Sequence, residues 1–478
     1  MNNYVEDLTT STAEIFDVSS AEAYFNDQTQ TFYIKKKRPG DEIQVKHLSS
    51  FAQKLFLDKG GSRSKEWTAM QASGPNGPAI RVYRGKEARE LRAKFAERIL
   101  PTRWHEKWKD MGDDYDNGLK DPEGPKHLGP KSRWIIQGFH DPDIAILNRA
   151  VPTPATTDVP LSLQMLSSLQ AQAWVGDVKS AFTQGLRGLR KDRLFADPPP
   201  GGFPGEDDDL LIELLAEVYG LITGPPAWRQ TLITTFRELG FKKHPLAPCV
   251  MLMYEDMGAG TEELSGLIVI ETDDLLGGGV GDKFHKAVTE LKKRFTFGKW
   301  IYLQEQSTEY GGRTLKQHAD YSIEISMVRY LKERAREVRL EKGRCEDPEA
   351  LANESEITAM RGLMGKLNWA TREGMPQGCG GASLLSATLP TPRIKDIQEA
   401  NASLRRLLQA NASITIRPIP LRELRLIAFA DSSLGNAGGG SSQNAHFGPR
   451  DALGHLERRD SRRFDPGLYP EAPAELNN

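Results

Sequence analysis

Hydrophobic and polar positions follow two alternating periods through the middle of the chain. Short runs rich in β-branched and aromatic residues predict strands, whereas apolar residues three or four positions apart predict amphipathic helices. Strand patterns cover 131–139, 175–185 and 266–278, and helical patterns cover 85–100, 160–174, 227–241 and 282–295. The alternation of the two patterns from residue 131 to about 297 predicts one α+β unit.

The pattern changes after this unit. Residues 325–340, 355–374 and 395–411 carry apolar residues at helical spacing with basic opposite faces, which predicts a helical domain. A further strand is predicted at 424–431. The glycine-rich and arginine-rich tail after it loses all periodicity, so we expect disorder there. Residues 1–60 are polar and have no assigned fold.

Composition narrows the class of protein. The 478 residues suit about two to four domains. Lys and Arg number 63 and Asp and Glu number 65, so the net charge of −2 indicates that any site for a polyanion must be local. The three cysteines, Cys249, Cys345 and Cys379, contain no C-x-x-C pair, which argues against a disulfide framework or a zinc finger.

The sequence carries no pattern typical of secretion or membrane insertion. The N-terminus has no basic segment followed by an apolar one, and no run approaches about 18 apolar residues. These features predict neither a signal peptide nor a membrane span. We therefore expect an intracellular protein, cytoplasmic or nuclear, with no membrane partner.

Two adjacent acids, Asp273 and Asp274, interrupt the apolar strand pattern of 266–278. An unpaired buried carboxylate costs several kcal/mol, so a buried pair needs a neutralising partner. Divalent cations serve this purpose, and hard oxygen ligands favour Mg²⁺ or Mn²⁺. The alternative, a pair that simply occupies a hairpin turn where Asp is common, stays open on this fragment alone.

A third acid, Asp177, interrupts a second apolar strand pattern in the same unit. By itself, Asp177 fits a strand-end or capping acid equally well. Two strands that are each broken by acid form the kind of site that holds two metal ions between three carboxylates. Two metals about 4 Å apart can clamp the attacking and leaving oxygens of a phosphoryl transfer.

A family resemblance rests on seven stretches in the same order and spacing. They resemble the reverse transcriptase of copia-type retrotransposon Pol polyproteins: KSRWIIQGFHDPD, DVKSAFTQG, LFADPPPGGF, EVYGLITGPPAWRQTLITTFRELGF, APCVMLM, IVIETDDLL and GKLNWATREGMP. KEWTAM and ILPTRWHEKW resemble the start of the same module, so the resemblance covers residues from about 60 to 430.

This resemblance implies an α+β right-hand polymerase of fingers, palm and thumb, with an antiparallel palm sheet. Residues 1–60 would be an unassigned polar segment and 61–320 the reverse transcriptase fingers and palm. Residues 321–415 would be a helical thumb or connection. Residues 416–478 would be an incomplete ribonuclease H-like strand region with a disordered tail.

The resemblance also implies the catalytic centre. Asp177, Asp273 and Asp274 would be the catalytic carboxylates, and they would bind two Mg²⁺ or Mn²⁺ ions together with the carbonyl of Val178. The implied reaction is RNA-directed DNA synthesis, in which dNTPs are added to a primer 3′-hydroxyl on an RNA or DNA template. Association with other Gag or Pol products would also be expected of such a protein.

Nucleotide-binding residues are implied in the same way. Phe182 would lie under the incoming sugar and exclude a ribose 2′-hydroxyl, whereas without the resemblance it fits a core aromatic better. Lys131 and Arg133 would reach the triphosphate, although each also fits an ordinary solvated charge. Residues 219–228 would lie near the template, and the basic helices of 325–409 would follow the duplex backbone.

Asp431 resembles the first metal-binding aspartate of the ribonuclease H domain that follows copia-type polymerases. The sequence after Asp431 does not resemble that domain, so we predict a truncated and inactive ribonuclease H.

Two departures from the family pattern favour an alternative. Glu271 replaces an aromatic that normally meets the primer end, and Thr223 stands where glutamine is usual. The alternative is an inactive or domesticated Pol relic that binds nucleic acid without efficient catalysis. A dinucleotide site on the glycines of 277–279 is disfavoured, because their spacing is not G-x-G-x-x-G.

Overall fold

The structure is a computed structural model of the chain, which divides at Leu424 into two units. It describes residues 21–26, 31–36, 42–74, 77–111, 115–118, 127–147, 149–186, 190, 192–207, 209–258, 260–425, 429–433 and 443–447.

Helices and strands are mixed throughout the first unit, which confirms the α+β class. The helices are α1 (Ser50–Leu57), α2 (Ser62–Gln71), α3 (Gly85–Lys94), α4 (Asp158–Ser168), α5 (Gly224–Glu238), α6 (Gly281–Arg294), α7 (Val328–Arg334), α8 (Glu354–Glu373), α9 (Cys379–Thr388) and α10 (Ile394–Ala410). The strands before residue 200 are β1 (Ala21–Asn26), β2 (Thr31–Lys36), β3 (Ser73–Gly74), β4 (Gly77–Pro78), β5 (Ile80–Arg84), β6 (Ile99–Leu100), β7 (Thr102–Asp110), β8 (Leu128–Ile136), β9 (Trp174–Val178) and β10 (Phe195–Ala196). The later strands are β11 (Leu210–Leu214), β12 (Lys242–Lys243), β13 (Val250–Asp256), β14 (Glu262–Glu271), β15 (Asp274–Gly279), β16 (Phe297–Tyr302), β17 (Thr308–Tyr310), β18 (Arg313–Gln317), β19 (Ile323–Ser326), β20 (Ser413–Ile416), β21 (Phe429–Ser433) and β22 (Gln443–Phe447).

The central sheet has six strands in the order β12-β13-β14-β15-β9-β16, and every neighbouring pair is antiparallel. Side chains alternate between its two faces, so each face has its own apolar core. Ile268, Ile270 and Leu275 pack in a cluster with residues of α5 and α6. Val269 and Leu276 pack on the other side with residues of α4 and of the β17-β18 hairpin. Burial in these two cores determines which residues of each strand lie on which face of the sheet.

An N-terminal region packs around a second sheet, β5-β11-β10-β6, and the long β7-β8 hairpin. Its core is dominated by aromatic rings. Trp67 stacks on Phe203 with ring centroids 3.8 Å apart, and Trp134 meets the same phenylalanine edge-on at 5.5 Å. This core holds β8 rigidly, and one face of β8 carries two of the residues expected to bind nucleotide.

A helical region, α7 to α10, lies in the chain between β19 and β20, which pair antiparallel in the sheet β17-β18-β19-β20. Its core contains Met360, Leu367, Ile397 and Leu404. The apolar stripes of α8 and α10 face one another there. The helical region is therefore an insertion into that four-stranded sheet.

One helix prediction is wrong in its extent. Of residues 325–340 only Val328–Arg334 are helical, because Ile325 belongs to β19 and is buried with the sheet. Val338 is buried in the helical core without being helical. Its N–H donates to Asn401 Oδ1 and its carbonyl accepts from Asn401 Nδ2, both at 2.8 Å. The asparagine side chain thus replaces the helical hydrogen bonds.

In the second unit, β21 pairs antiparallel with β22, and Asp431 lies opposite Ala445. The side chain of Asp431 lies outside the part of the chain that the structure describes, as do residues 1–20 of the expected polar segment 1–60 and residues 448–478 of the expected tail. Among the described helices, none has both the length and the apolar character needed to cross a membrane.

Candidate active site

The paired aspartates lie at the tip of the β14-β15 hairpin. Thr272 and Asp273 form the turn, and Glu271 pairs with Asp274 across it. Thr272 has a φ of 59°, a left-handed conformation that is unusual for a β-branched residue. Asp273 therefore occupies a tight turn, as one of the two interpretations of the sequence proposed, and Asp274 begins a strand of the central sheet.

Two hydrogen bonds hold this turn from either side. Trp228 Nε1, from α5, donates to the carbonyl of Thr272 at 2.8 Å, and its side chain is almost completely buried. The backbone N–H of Val178, at the end of β9, donates to the carbonyl of Asp273 at 3.0 Å. Because both donors belong to packed elements, the conformation of the turn is fixed by the fold.

Register places charged residues in one row across the sheet. Asp274 lies opposite Glu271 on one side and opposite Asp177 on the other, and Asp177 lies opposite Lys299 of β16. Directly opposite residues share a face, with Cβ atoms about 4.5–5.5 Å apart. Three carboxylates and one lysine therefore follow each other on the face that also carries Val269 and Leu276.

The row carries more negative charge than its neighbours offset. Burial raises the pKa of Asp274 to about 7, with further upward contributions from Asp273, Asp177 and Glu271, and only Lys299 opposes them. Burial also raises the pKa of Asp273, where Asp177 adds to the shift and Arg133 opposes it. Such an excess of negative charge on half-buried neighbouring groups is costly unless a cation joins the carboxylates.

A glycine makes room for one of these carboxylates. The pairing of β16 with β9 shifts register between Phe297 and Lys299, so Gly298 lies in a β-bulge. A Cβ on Gly298 would lie 2.8 Å from Asp177 Oδ2. The space that the Asp177 side chain occupies therefore depends on a residue without a side chain at position 298.

Arg133, Tyr219 and Phe182 form a stack near the turn. The Arg133 guanidinium lies 4.8 Å from the centre of the Tyr219 ring, and this ring meets Phe182 edge-on at 5.8 Å. The N–H of Ile136 donates to the Tyr219 carbonyl at 2.8 Å and ties this segment to the end of β8. The positive charge of Arg133 opposes the rise in the pKa of Asp273. The stack therefore lies within electrostatic reach of the turn.

Lys131 lies two residues before Arg133 on the same face of β8. Burial lowers the pKa of Lys131, and Glu66 of α2 opposes that shift. Burial raises the pKa of Glu66, with Lys131 as the main opposing charge. Sequence reasoning missed Glu66, Lys299 and Gly298, because their proximity to the site depends on pairing and packing between distant segments.

Thr223, one of the two departures from the family pattern, lies in a separate polar cluster. Its hydroxyl donates to Glu217 Oε2 at 2.6 Å and accepts a hydrogen bond from Arg190 Nη2 at 3.1 Å. Arg190 also contacts Asp141, whose side chain is fully buried. The threonine is thus accommodated by the fold as a hydrogen-bonding residue.

The acids of the row and the turn provide oxygen ligands for a metal ion. Within the described residues, no group of three or more His, Cys, Asp or Glu side chains is arranged to hold a metal ion. The carboxylate oxygens of Asp177 and Asp273 are nonetheless the donors that Mg²⁺ or Mn²⁺ prefers, and their uncompensated charge fits a divalent cation. A cleft of about 410 Å³ beside Asp274, also lined by Lys299, Gly311 and Arg329, gives access to the row.

The glycines after the aspartates are not a phosphate loop. They belong to β15, and a Cβ on Gly277 would lie 2.7 Å from the Trp174 ring. A Cβ on Gly279 would lie 2.5 Å from the Phe284 ring. Aromatic side chains fill the space above these residues, which excludes a dinucleotide at this position.

An α+β fold with acids on neighbouring strands and on the turn beside them defines a candidate metal-dependent enzyme. The chain belongs to the family described as reverse transcriptase (RNA-dependent DNA polymerase), whose model matches residues 105–345. The enzyme class expected from the sequence is therefore confirmed.

One curated relative agrees with the copia-type resemblance. The chain is 23% identical over 273 residues to the putative transposon Ty5-1 protein of Saccharomyces cerevisiae, covering 54% of this chain and 83% of that protein. A solved structure of the foamy viral protease-reverse transcriptase dRH in complex with ds DNA aligns with 69% of this chain at 10% identity and a TM-score of 0.35. The chain spans 48% of that protein, about half of its length.

Proposed function

We propose that this chain is the RNA-directed DNA polymerase of a copia-type retrotransposon and adds dNTPs to a primer 3′-hydroxyl on an RNA or DNA template. The observation that carries the proposal is the pairing of Asp177 with Asp274 next to the turn that presents Asp273. Strands that meet in this way give carboxylates from two distant segments one common position.

The proposed architecture is a right hand. Residues 61–320 would be fingers and palm, and 321–415 a helical thumb or connection. The six-stranded antiparallel sheet supports the palm, and the insertion of α7 to α10 supports a separate helical element. Residues 416–478 would begin a ribonuclease H-like region that is inactive, with Asp431 as its remnant aspartate.

In the proposed mechanism, the chain's own residues fix the position of the reacting groups. Asp177 and Asp273 would hold the metal ions with Asp274, and the Val178 carbonyl would be a further ligand. Two Mg²⁺ or Mn²⁺ ions, when bound, supply Lewis-acid activation and neutralise developing charge. The hydrogen bonds from Trp228 and Val178 keep Asp273 in place through the reaction.

Nucleotide binding would use the stack beside the turn. Arg133 and Lys131 would bind the triphosphate, where fixed positive charge offsets the charge of the leaving pyrophosphate. The edge-on contact with Tyr219 fixes Phe182, which would contact the sugar. Basic residues of the helical region would contact the phosphates of the template and primer duplex.

The test is primer extension on poly(rA)/oligo(dT) with Mg²⁺ or Mn²⁺. Asp273→Asn should lower incorporation at least about 100-fold, the scale of losing one electrostatic contact to a transition state. Folding and binding of the hybrid should be retained. Asp282→Asn, an exposed acid of α6, is the matched control and should keep wild-type activity.

Normal activity of Asp273→Asn would refute the assignment of the site. Retained hybrid binding by a wild-type chain that incorporates nothing with either metal would instead favour the inactive, nucleic-acid-binding relic.

A further inference from the structure

A buried ion pair joins the β17-β18 hairpin to the helical region. Arg313, the first residue of β18, donates through Nη2 to Glu373 Oε2 at the end of α8. The two side chains are only 4% and 1% exposed. Charges removed from water in this way are held only where their partners are well placed.

Arg313 and Glu373 do not satisfy each other's full hydrogen-bonding capacity. Arg313 Nε and Glu373 Oε1 are buried without a hydrogen-bond partner among the described residues. Arg372 Nε stands 4.0 Å from Glu373 Oε1, too far for a hydrogen bond. Since a guanidinium has five N–H donors, Arg313 can serve a second carboxylate as well as Glu373.

Glu271 places a second carboxylate near this guanidinium. A Cβ placed on Gly311 would lie 2.7 Å from Arg313 Nη1 and 2.8 Å from Glu271 Oε2. The guanidinium and the carboxylate therefore both border the space above Gly311, at a separation too large for a hydrogen bond but within reach of electrostatic attraction. The electrostatics agree: burial raises the pKa of Glu271, with Arg313 opposing and Glu373 adding to the shift.

The position of Glu271 in the sheet connects the Arg313 side chain to the catalytic turn. Glu271 is the last residue of β14 and pairs directly with Asp274, on the side of Asp274 away from Asp177. Its carboxylate reaches over Gly311 toward Arg313. The charge that departs from the family pattern thus lies near a cation of the neighbouring hairpin.

We infer that half-buried Glu271 and the buried pair of Arg313 and Glu373 form one charged cluster that positions the Asp273-Asp274 turn relative to the helical region. Glu271 is then a positioning residue for polymerisation, and this role rests on the function proposed above. Through the cluster, a residue of α8 influences the catalytic turn although it belongs to another part of the fold.

The first arm of the test measures hydrogen exchange of the amides of 271–276 in the full chain without nucleic acid. Glu271→Ala and Glu373→Gln should each speed exchange of this turn at least about 10-fold by weakening local stability. The double variant should match the more affected single variant, because both changes break one cluster. Glu262→Ala is the control, since Glu262 lies at the far end of β14 in an exposed ion pair with Lys242.

The second arm measures steady-state primer extension. Glu271→Ala should lower kcat about 10-fold with the KM for dTTP changed less than about 2-fold, as expected when reacting groups are misplaced but substrate contacts remain. Glu271→Gln, which keeps an acceptor oxygen for Arg313, should restore most of kcat.

Unchanged exchange of the turn in Glu373→Gln, or effects of the two changes that simply add, would overturn the cluster. Full kcat in Glu271→Ala would overturn the positioning role. A wild-type chain that shows no Asp273-dependent incorporation would refute the proposed function, and the exchange arm would still decide whether the cluster exists.

Discussion

An acid of the N-terminal region and an acid of the central sheet have opposite surroundings and opposite shifts in pKa. Glu213, on β11, accepts hydrogen bonds from Tyr83 at 2.7 Å and from Arg193 at 2.6 Å. Burial raises its pKa, but these two bonds outweigh burial and the net shift is downward. Asp274 lies opposite the carboxylate of Asp177, and its pKa is raised to about 7.

This difference in surroundings distinguishes acids that stabilise the fold from acids that are available for binding. An acid that is paired within the fold contributes to stability, because its charged form is better bound than in the unfolded chain. Acids placed opposite one another work against stability. Their retention in the central sheet is explained by something that binds there, which is the physical basis for assigning the site to this row.

The largest expected effect is that of Asp177→Asn. Incorporation should fall at least about 100-fold, whereas the free energy of unfolding in chelator should stay equal or rise by up to about 1 kcal/mol, since a like-charge contact is removed. Denaturant unfolding and primer extension measure the two quantities. A clear loss of stability would show that Asp177 stabilises the fold as Glu213 does, which would contradict the distinction between the two groups of acids.

Glu213→Gln should show the reverse. Incorporation should stay near the wild-type level, and the free energy of unfolding should fall by about 1–3 kcal/mol at neutral pH, because Arg193 and Tyr83 lose a charged acceptor. The pKa of Glu213 is lower in the folded state, so its contribution is present above its ordinary pKa and is lost as pH falls through the folded value.

Denaturant unfolding at pH 7 and at pH 3 checks this sign. The difference between wild type and Glu213→Gln should shrink at the lower pH, and a difference that grows there would contradict the pairing.

Gly298→Ala should have the smallest effect of the three. The added Cβ would press on Asp177 Oδ2, so kcat should fall about 10-fold through misplacement of that carboxylate. Gly362→Ala in α8 is the matched control, because no atom lies within 4 Å of its added Cβ. The control should keep full activity and gain up to about 1 kcal/mol of stability. Equal activity of the two variants would show that the bulge does not support the site.

Local signals explain what the sequence predicted well. Helix α8 was predicted at 355–374 and is observed at Glu354–Glu373, where Asn353 and Glu356 form a capping box. Apolar runs interrupted by Asp177 and Asp273 likewise indicated acid-bearing strands of one unit. Each of these features depends on residues close together in the chain.

Long-range features could not be predicted in this way. Helix α9 was missed, since Gly380 and Gly381 lower helix propensity and packing against α8 and α10 compensates. The alignment of Asp177 with Asp274, and the proximity of Glu271 to Arg313, require pairing and packing between segments far apart in sequence. Sequence reasoning identified Glu271 as a departure, but its partners became visible only in the fold.

The pairing of Ser326 with Ser413 means that residues 327–412 leave and re-enter the molecule at adjacent points. Joining the ends of a loop of that length costs about 4 kcal/mol of chain entropy if the loop is unstructured. A helical bundle that folds by itself brings its own ends together and removes most of that cost. The edge strand β20 therefore reaches β19 at a lower entropic cost once the inserted helices have assembled, so completion of this sheet depends on the segment that separates its last two strands in sequence.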